Sequence, residues 1–88
     1  METQNSSVAP HVLVVDDDPA IRQLAADYFA ENGLRVTAVA TGAEMAGVLA
    51  ENAVDVVVLD LRLANEDGMQ LAKTLREESD VPIILLTG

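Results

Sequence analysis

The sequence predicts an α/β chain built on a doubly wound parallel sheet, in the order βαβαβαβ. Three observations predict it. Val12 to Val15, Val56 to Leu59 and Ile83 to Leu86 are apolar runs with no alternation of polar and apolar positions, the pattern of strands covered on both faces by helices. Between such runs lie segments whose apolar residues recur at helical spacing. The connections are short, which suits parallel strands joined by right-handed helical crossovers.

In order, Met1 to Pro10 is polar, closes on a proline and reads as a flexible tail, leaving residues 11–88 as the folded unit. Val12 to Val15 is the first strand, ended by Asp16, Asp17, Asp18 and Pro19. Pro19 fits a first helical position with Asp18 as its N-cap. Ile21, Leu24, Ala25, Tyr28 and Phe29 give the helix its apolar stripe, and Gly33 stops it. Leu34 to Val39 is the second strand. Thr41 opens a second helix with Glu44 three residues on, as in a capping box; Met45, Val48 and Leu49 are its apolar side, and it ends near Asn52. The run from Val54 to Asp60 is the third strand. Leu61 to Asp67 is a loop, and Gly68 to about Glu78 a helix with Leu71, Ala72 and Leu75 inward and Lys73, Arg76, Glu77 and Glu78 solvated. Val81 to Leu86 is the fourth strand, with Pro82 tolerable near its start.

Composition narrows the function. There is no tryptophan and only one each of Tyr and Phe among 88 residues, so the core is aliphatic. The chain has no cysteine, which removes disulfides and thiolate metal sites and suits a cytoplasmic protein. No signal peptide or membrane-length apolar run is present. Fifteen acids against five Lys and Arg give a net charge of −10. That field repels phosphate backbones, so no direct nucleic-acid contact is expected, and it attracts cations.

The chemistry concentrates at strand ends. Asp60 alone could merely end a strand, Asp16 to Asp18 could merely cap a helix, and Thr87 is weak by itself. In a doubly wound sheet, however, strands one and three are neighbours, strand four lies beside three, and ligands bind outside the carboxyl ends of the strands. Asp16, Asp17, Asp60 and Thr87 then share one edge. Crowded carboxylates repel unless a cation or protons compensate, and hard oxygen donors without His or Cys nearby suit Mg²⁺. An Asp beside a divalent ion and a hydroxyl is equipment for phosphoryl transfer through an aspartyl-phosphate.

Three stretches together, Val14-Val-Asp-Asp-Asp-Pro-Ala-Ile-Arg22, Asp60-Leu-Arg-Leu-Ala-Asn-Glu-Asp-Gly68 and Ile83-Ile-Leu-Leu-Thr-Gly88, resemble the receiver domain of bacterial two-component response regulators, most closely those attached to winged-helix transcription factors. The resemblance implies a flavodoxin-like receiver fold and a cytoplasmic, non-enzymatic signalling module that takes a phosphoryl group from a sensor histidine kinase. By position, Asp60 resembles the phosphoacceptor and Thr87 the switch hydroxyl. Asp17 with Asp16 resembles the acidic pair that holds Mg²⁺, Asp17 as the direct ligand and Asp16 through water. Asp60 and the backbone carbonyl of Arg62 would complete the metal ligands, and Gly68 resembles the loop glycine before the third helix.

Two departures stand out. Ala64 occupies a position where the family usually has proline, which is expected to loosen the loop. The family also continues into a fifth strand ending in a lysine and two further helices, which this sequence does not reach, so it reads as a fragment expected to signal poorly. The apolar fourth strand, Ile83, Ile84, Leu85 and Leu86, is then expected to self-associate through an open edge. The alternative within the fold is a binding-only pseudo-receiver. An aspartyl phosphatase would need a second Asp where Arg62 stands, and a nucleotide-binding domain would need glycines where Asp16 to Pro19 stand.

Overall fold

The structure, a computed structural model, describes residues 8–87. Its elements are β1 (His11–Val15), α1 (Pro19–Glu31), β2 (Arg35–Val39), α2 (Gly42–Glu51), β3 (Val56–Asp60), α3 (Gly68–Glu78) and β4 (Ile83–Leu86). The predicted order therefore holds, with strand ends displaced by one or two residues. The tail expected over residues 1–10 lies outside the described residues for 1–7. At its end the carbonyls of Ala9 and Pro10 accept from Arg35 Nε and Arg35 N, tying the approach to β1 to β2.

All strand pairs are parallel and the sheet order is β2-β1-β3-β4, so β1 and β3 are neighbours and β4 flanks β3, as expected. The register sets Val15 beside Leu59 and Asp60 beside Leu86. The acids that follow β1 and close β3 therefore reach the same edge of the sheet.

Each helix begins where its cap residue dictates. Asp18 accepts from Ala20 N ahead of Pro19. Thr41 accepts from Glu44 N while the Glu44 carboxylate takes Ala40 N, one residue outside the usual reciprocal box. Asp67 accepts from Met69 N and Gln70 N. Helix α1 closes with Leu34 N on Phe29 O and Gly33 N on Ala30 O. This is a Schellman turn whose left-handed residue, Gly33 at φ +80°, is the glycine singled out as the stop.

The sheet carries an apolar layer on each face. On one, Leu13, Val15, Val57 and Leu59 meet Met45, Leu63, Ala72 and Leu75 beneath α2 and α3. On the other, Val12, Val14 and Val58 meet Ala25 and Phe29 of α1. The second layer is thinner than the periodicity of α1 suggests. Leu24 and Tyr28 are 66% and 60% exposed, and α1 has no fully buried residue, because its stripe is wider than the strip of sheet it covers. Likewise β4 is not covered on both faces. Ile83 and Leu85 pack against the α2–α3 layer, whereas Ile84 and Leu86 are 52% and 38% exposed on the α1 face, where no described element lies over them.

Candidate functional site at the carboxyl edge of the sheet

Strand β1 is buried from His11 to Val15, and the chain leaves it at Asp16, itself buried at 4% exposure. Asp16 N still pairs with Val39 O at 3.0 Å, so the sheet fixes the residue that begins the turn. Its carboxylate Oδ1 accepts from Asp18 N at 2.9 Å, and its carbonyl accepts from Arg22 Nη1 at 2.9 Å. Of the three consecutive acids, Asp18 caps α1, and Asp16 and Asp17 remain at the site.

Asp60 closes β3 and its Oδ1 accepts from Arg62 N at 2.8 Å. One oxygen each of Asp16, Asp17 and Asp60 lie within 4.8 Å of one another. They line an open cleft of about 360 Å³ together with Asp18, Ile21 and Leu86. Thr87, exposed, follows Leu86 directly and so stands one residue beyond the partner of Asp60 in register. Of the residues the sequence singled out, Asp16, Asp17 and Asp60 are brought together, whereas Thr87 follows the cleft-lining Leu86 and is not itself among the lining residues. Arg62 is exposed on the loop, its N–H turned to Asp60.

The electrostatics are those of a site short of positive charge. Burial pushes the Asp16 carboxyl above its ordinary value, and the charges of Asp60, Asp17 and Asp18 push it further, against the opposing N–H of Asp18. A cation at the convergence of these oxygens relieves both causes. The donor set is hard oxygen alone, which fits a small divalent ion that keeps part of its water shell better than a soft or borderline metal.

The loop after Asp60 is held at more places than its sequence suggests. Leu63 is buried in the core beneath α2 and α3. Ala64 N donates to Asp17 Oδ2 at 2.7 Å, so the loop is fastened where the missing proline was expected to loosen it: proline has no N–H to give. The Glu66 carboxylate takes Gly42 N at the start of α2. Gly68 is buried, and a Cβ there would stand 2.5 Å from Leu61 Cα and 2.7 Å from Asp60 O, so only glycine lets α3 start this close to the end of β3. The glycine and the acids were legible. Ala64 and Glu66 were not, because a backbone donor has no letter of its own and Glu66 is one acid among many. Arg22, six residues after Asp16, offered a basic residue in the first turns of α1 as its signal.

Comparison with known proteins places these features. The response regulator receiver domain model matches residues 12–88. Among curated proteins, the regulatory protein VirG of Agrobacterium fabrum is 47% identical over 78 residues, 89% of this chain and 31% of the relative. The transcriptional regulatory protein AruR of Pseudomonas aeruginosa is 44% identical over 87 residues, 93% of this chain and 36% of the relative. The chain thus spans about a third of the length of the curated relatives it matches. Among solved structures, the receiver domain of the TMAO respiratory response regulator TorR superposes with a TM-score of 0.85 at 37% identity, over 90% of this chain and 66% of that one. The response regulator TrrA, crystallised in complex with the histidine kinase ThkA, is matched with a TM-score of 0.83 at 32% identity, over 90% of this chain and 69% of that one.

Proposed function

The chain belongs to the response regulator receiver domain family, and from that premise we propose that it is a phosphoacceptor module, with Asp60 the residue that receives a phosphoryl group from a histidine kinase. One observation carries this reading: ligand oxygens of Asp16, Asp17 and Asp60, drawn from the ends of two neighbouring parallel strands, lie within 4.8 Å of one another.

Arg62 N–H holds Asp60 Oδ1, which fixes the rotation of the carboxylate and leaves Oδ2 as the attacking oxygen. As the new O–P bond forms, the P–N bond of the donor phosphohistidine breaks and the imidazole leaves with the electron pair. Asp16, Asp17, Asp60 and the carbonyl of Arg62 would hold Mg²⁺. The bound ion supplies charge balance to the transferring group. Asp16, buried directly after β1 and paired through its N–H to Val39 O, holds its carboxylate at a fixed place in the cleft. Thr87, next in the chain after the cleft-lining Leu86, is the hydroxyl available to the phosphoryl oxygens, and its capture there would bias the surface around β4. The protein acts as a switch component, not as an enzyme with a released product, and transcription is the output that relatives such as VirG and AruR support.

A histidine kinase partner is supported by the complex of the related TrrA with ThkA. No helix among the described residues is long and apolar enough to cross a membrane.

The test of the main reading is incubation with a small-molecule phosphodonor, with and without Mg²⁺. A Mg²⁺-dependent, hydroxylamine-labile adduct should form on the wild type and be absent from Asp60→Asn. Label persisting in Asp60→Asn refutes the assignment. Mg²⁺ binding with no label on the wild type would instead favour a binding-only pseudo-receiver.

A further inference from the structure

We propose that the backbone N–H of Ala64 is a positioning group for Asp17, holding that carboxylate in the orientation from which it ligates the cation; this rests on the metal-binding reading of the acid cleft. Ala64 N lies 2.7 Å from Asp17 Oδ2, at the short end of the range for an amide donating to a charged oxygen. The contact joins residues 47 apart in sequence, so it is a tertiary tie between the turn after β1 and the loop after β3.

The tie belongs to a bracket. Two residues before Ala64, Arg62 N donates to Asp60 Oδ1 at 2.8 Å. Between them, Leu63 is 7% exposed and packed in the α2–α3 layer. Three consecutive residues thus use one buried side chain as an anchor and two backbone donors as grips, one on each of two acids whose oxygens meet within 4.8 Å. Asp17 is only partly buried, and nothing in the turn Asp16 to Asp18 gives its carboxylate the support that Asp16 draws from Asp18 N.

A carboxylate has two oxygens and about four acceptor positions. With Oδ2 occupied by Ala64, Oδ1 remains for a cation, and the carboxylate's rotational freedom is already lost before the ion arrives. Partners that orient a ligating group in this way typically change metal affinity by ten- to a hundredfold when removed. The N–H does not touch the ion. It acts through Asp17.

Proline at 64 removes the donor and also fixes the local backbone, whereas serine at this exposed position keeps the N–H. Isothermal titration with Mg²⁺ alone on the full chain is expected to give wild type and Ala64→Ser the same affinity, and Ala64→Pro an affinity about tenfold weaker or worse. A merely structural role would instead lower the urea midpoint measured without metal and leave the Mg²⁺ dissociation constant of the folded protein unchanged. Equal affinity of wild type and Ala64→Pro overturns the proposal. Should Ala64→Pro fail to fold, amide exchange on the wild type decides: the Ala64 amide should be protected without metal and remain so when saturated with Mg²⁺. Fast exchange in either state means that Asp17 leaves this donor, and the proposal falls. A wild type that binds no Mg²⁺ defeats the metal-site reading itself, an outcome distinct from wild-type binding that is indifferent to proline.

Discussion

The carboxylate of Glu66 takes the backbone N–H of Gly42 on both of its oxygens, at 3.0 and 3.1 Å. Glu66 belongs to the loop after Asp60 and Gly42 is the first residue of α2, so the loop is fastened to a helix start where unpaired amides and the helix dipole favour an anion. Glu66→Ala removes the acceptor and the charge together, and about 1–2 kcal/mol of stability should go with them. Glu66→Gln keeps an acceptor and should lose roughly half as much. Urea unfolding measures both, and amide shifts confined to residues 41–44 and 61–67 would identify the tie as the cause.

Gly68→Ala sets two magnitudes against each other. Alanine is favoured over glycine within a helix by roughly 1 kcal/mol, which would stabilise α3. Its Cβ, however, would meet Leu61 Cα at 2.5 Å and the carbonyl oxygens of Asp60 and Leu61 at 2.7 and 2.8 Å. All three are backbone atoms that no rotamer change can move aside, and overpacking of this kind costs about 1–3 kcal/mol. The variant should be destabilised on balance, and the amide signals of Leu61 and Arg62 should shift. A more stable variant would show that the start of α3 can slide away from β3.

These two contacts also mark how far the sequence could be read. The sheet order and the meeting of Asp16, Asp17 and Asp60 were legible because the unbroken apolar runs Val12–Val15 and Val56–Leu59 read as neighbouring strands of a parallel sheet. The acids at their ends then have one edge to occupy. Coverage was not legible. Leu24 and Tyr28 repeat at the same helical spacing as Ala25 and Phe29, yet only the latter pair packs on the sheet, since periodicity identifies a stripe and not what lies opposite it. The tie at Ala64 is hidden for another reason: it is made by a backbone N–H, which the residue type does not reveal.

Asp16→Asn should make the metal-free protein more stable at neutral pH. Burial raises the Asp16 carboxyl above its ordinary value, and Asp60, Asp17 and Asp18 add to the shift. The folded state therefore binds this proton more tightly than the unfolded chain does. Stability from this group is complete below the ordinary carboxylate value, falls as pH rises through the raised one, and stays lost above it. Asparagine carries no charge to bury and can still accept from Asp18 N. The gain at neutral pH should be roughly 1 kcal/mol, about 4–8 °C in Tm for a domain of this size, and should vanish in acid. Mg²⁺ should raise the Tm of the wild type and raise that of Asp16→Asn less. An Asp16→Asn protein less stable than wild type without metal would show that the ionised carboxylate is tolerated at no cost.

At the opposite edge of the sheet, His11 offers a test that separates stability from the site. Its ring is buried, with Nδ1 3.1 Å from Ala53 O and Nε2 2.8 Å from Thr37 Oγ1. A carbonyl only accepts, so Nδ1 carries a proton, and in the neutral ring Nε2 accepts from the Thr37 hydroxyl. The backbone N–H of His11 is held in turn by Asp55 Oδ2 at 2.7 Å, so one residue links β1, β2 and the approach to β3. Thr37→Val keeps the shape and removes the hydroxyl, leaving a buried nitrogen without its donor at a cost of about 1–3 kcal/mol. Nitrogen shifts of the ring should report the Nδ1–H tautomer in the wild type. Mg²⁺ affinity should be unchanged in Thr37→Val, because the acids leave β1 and β3 at their other ends. Altered affinity would mean that the strands transmit a disturbance along their length to Asp16 and Asp60.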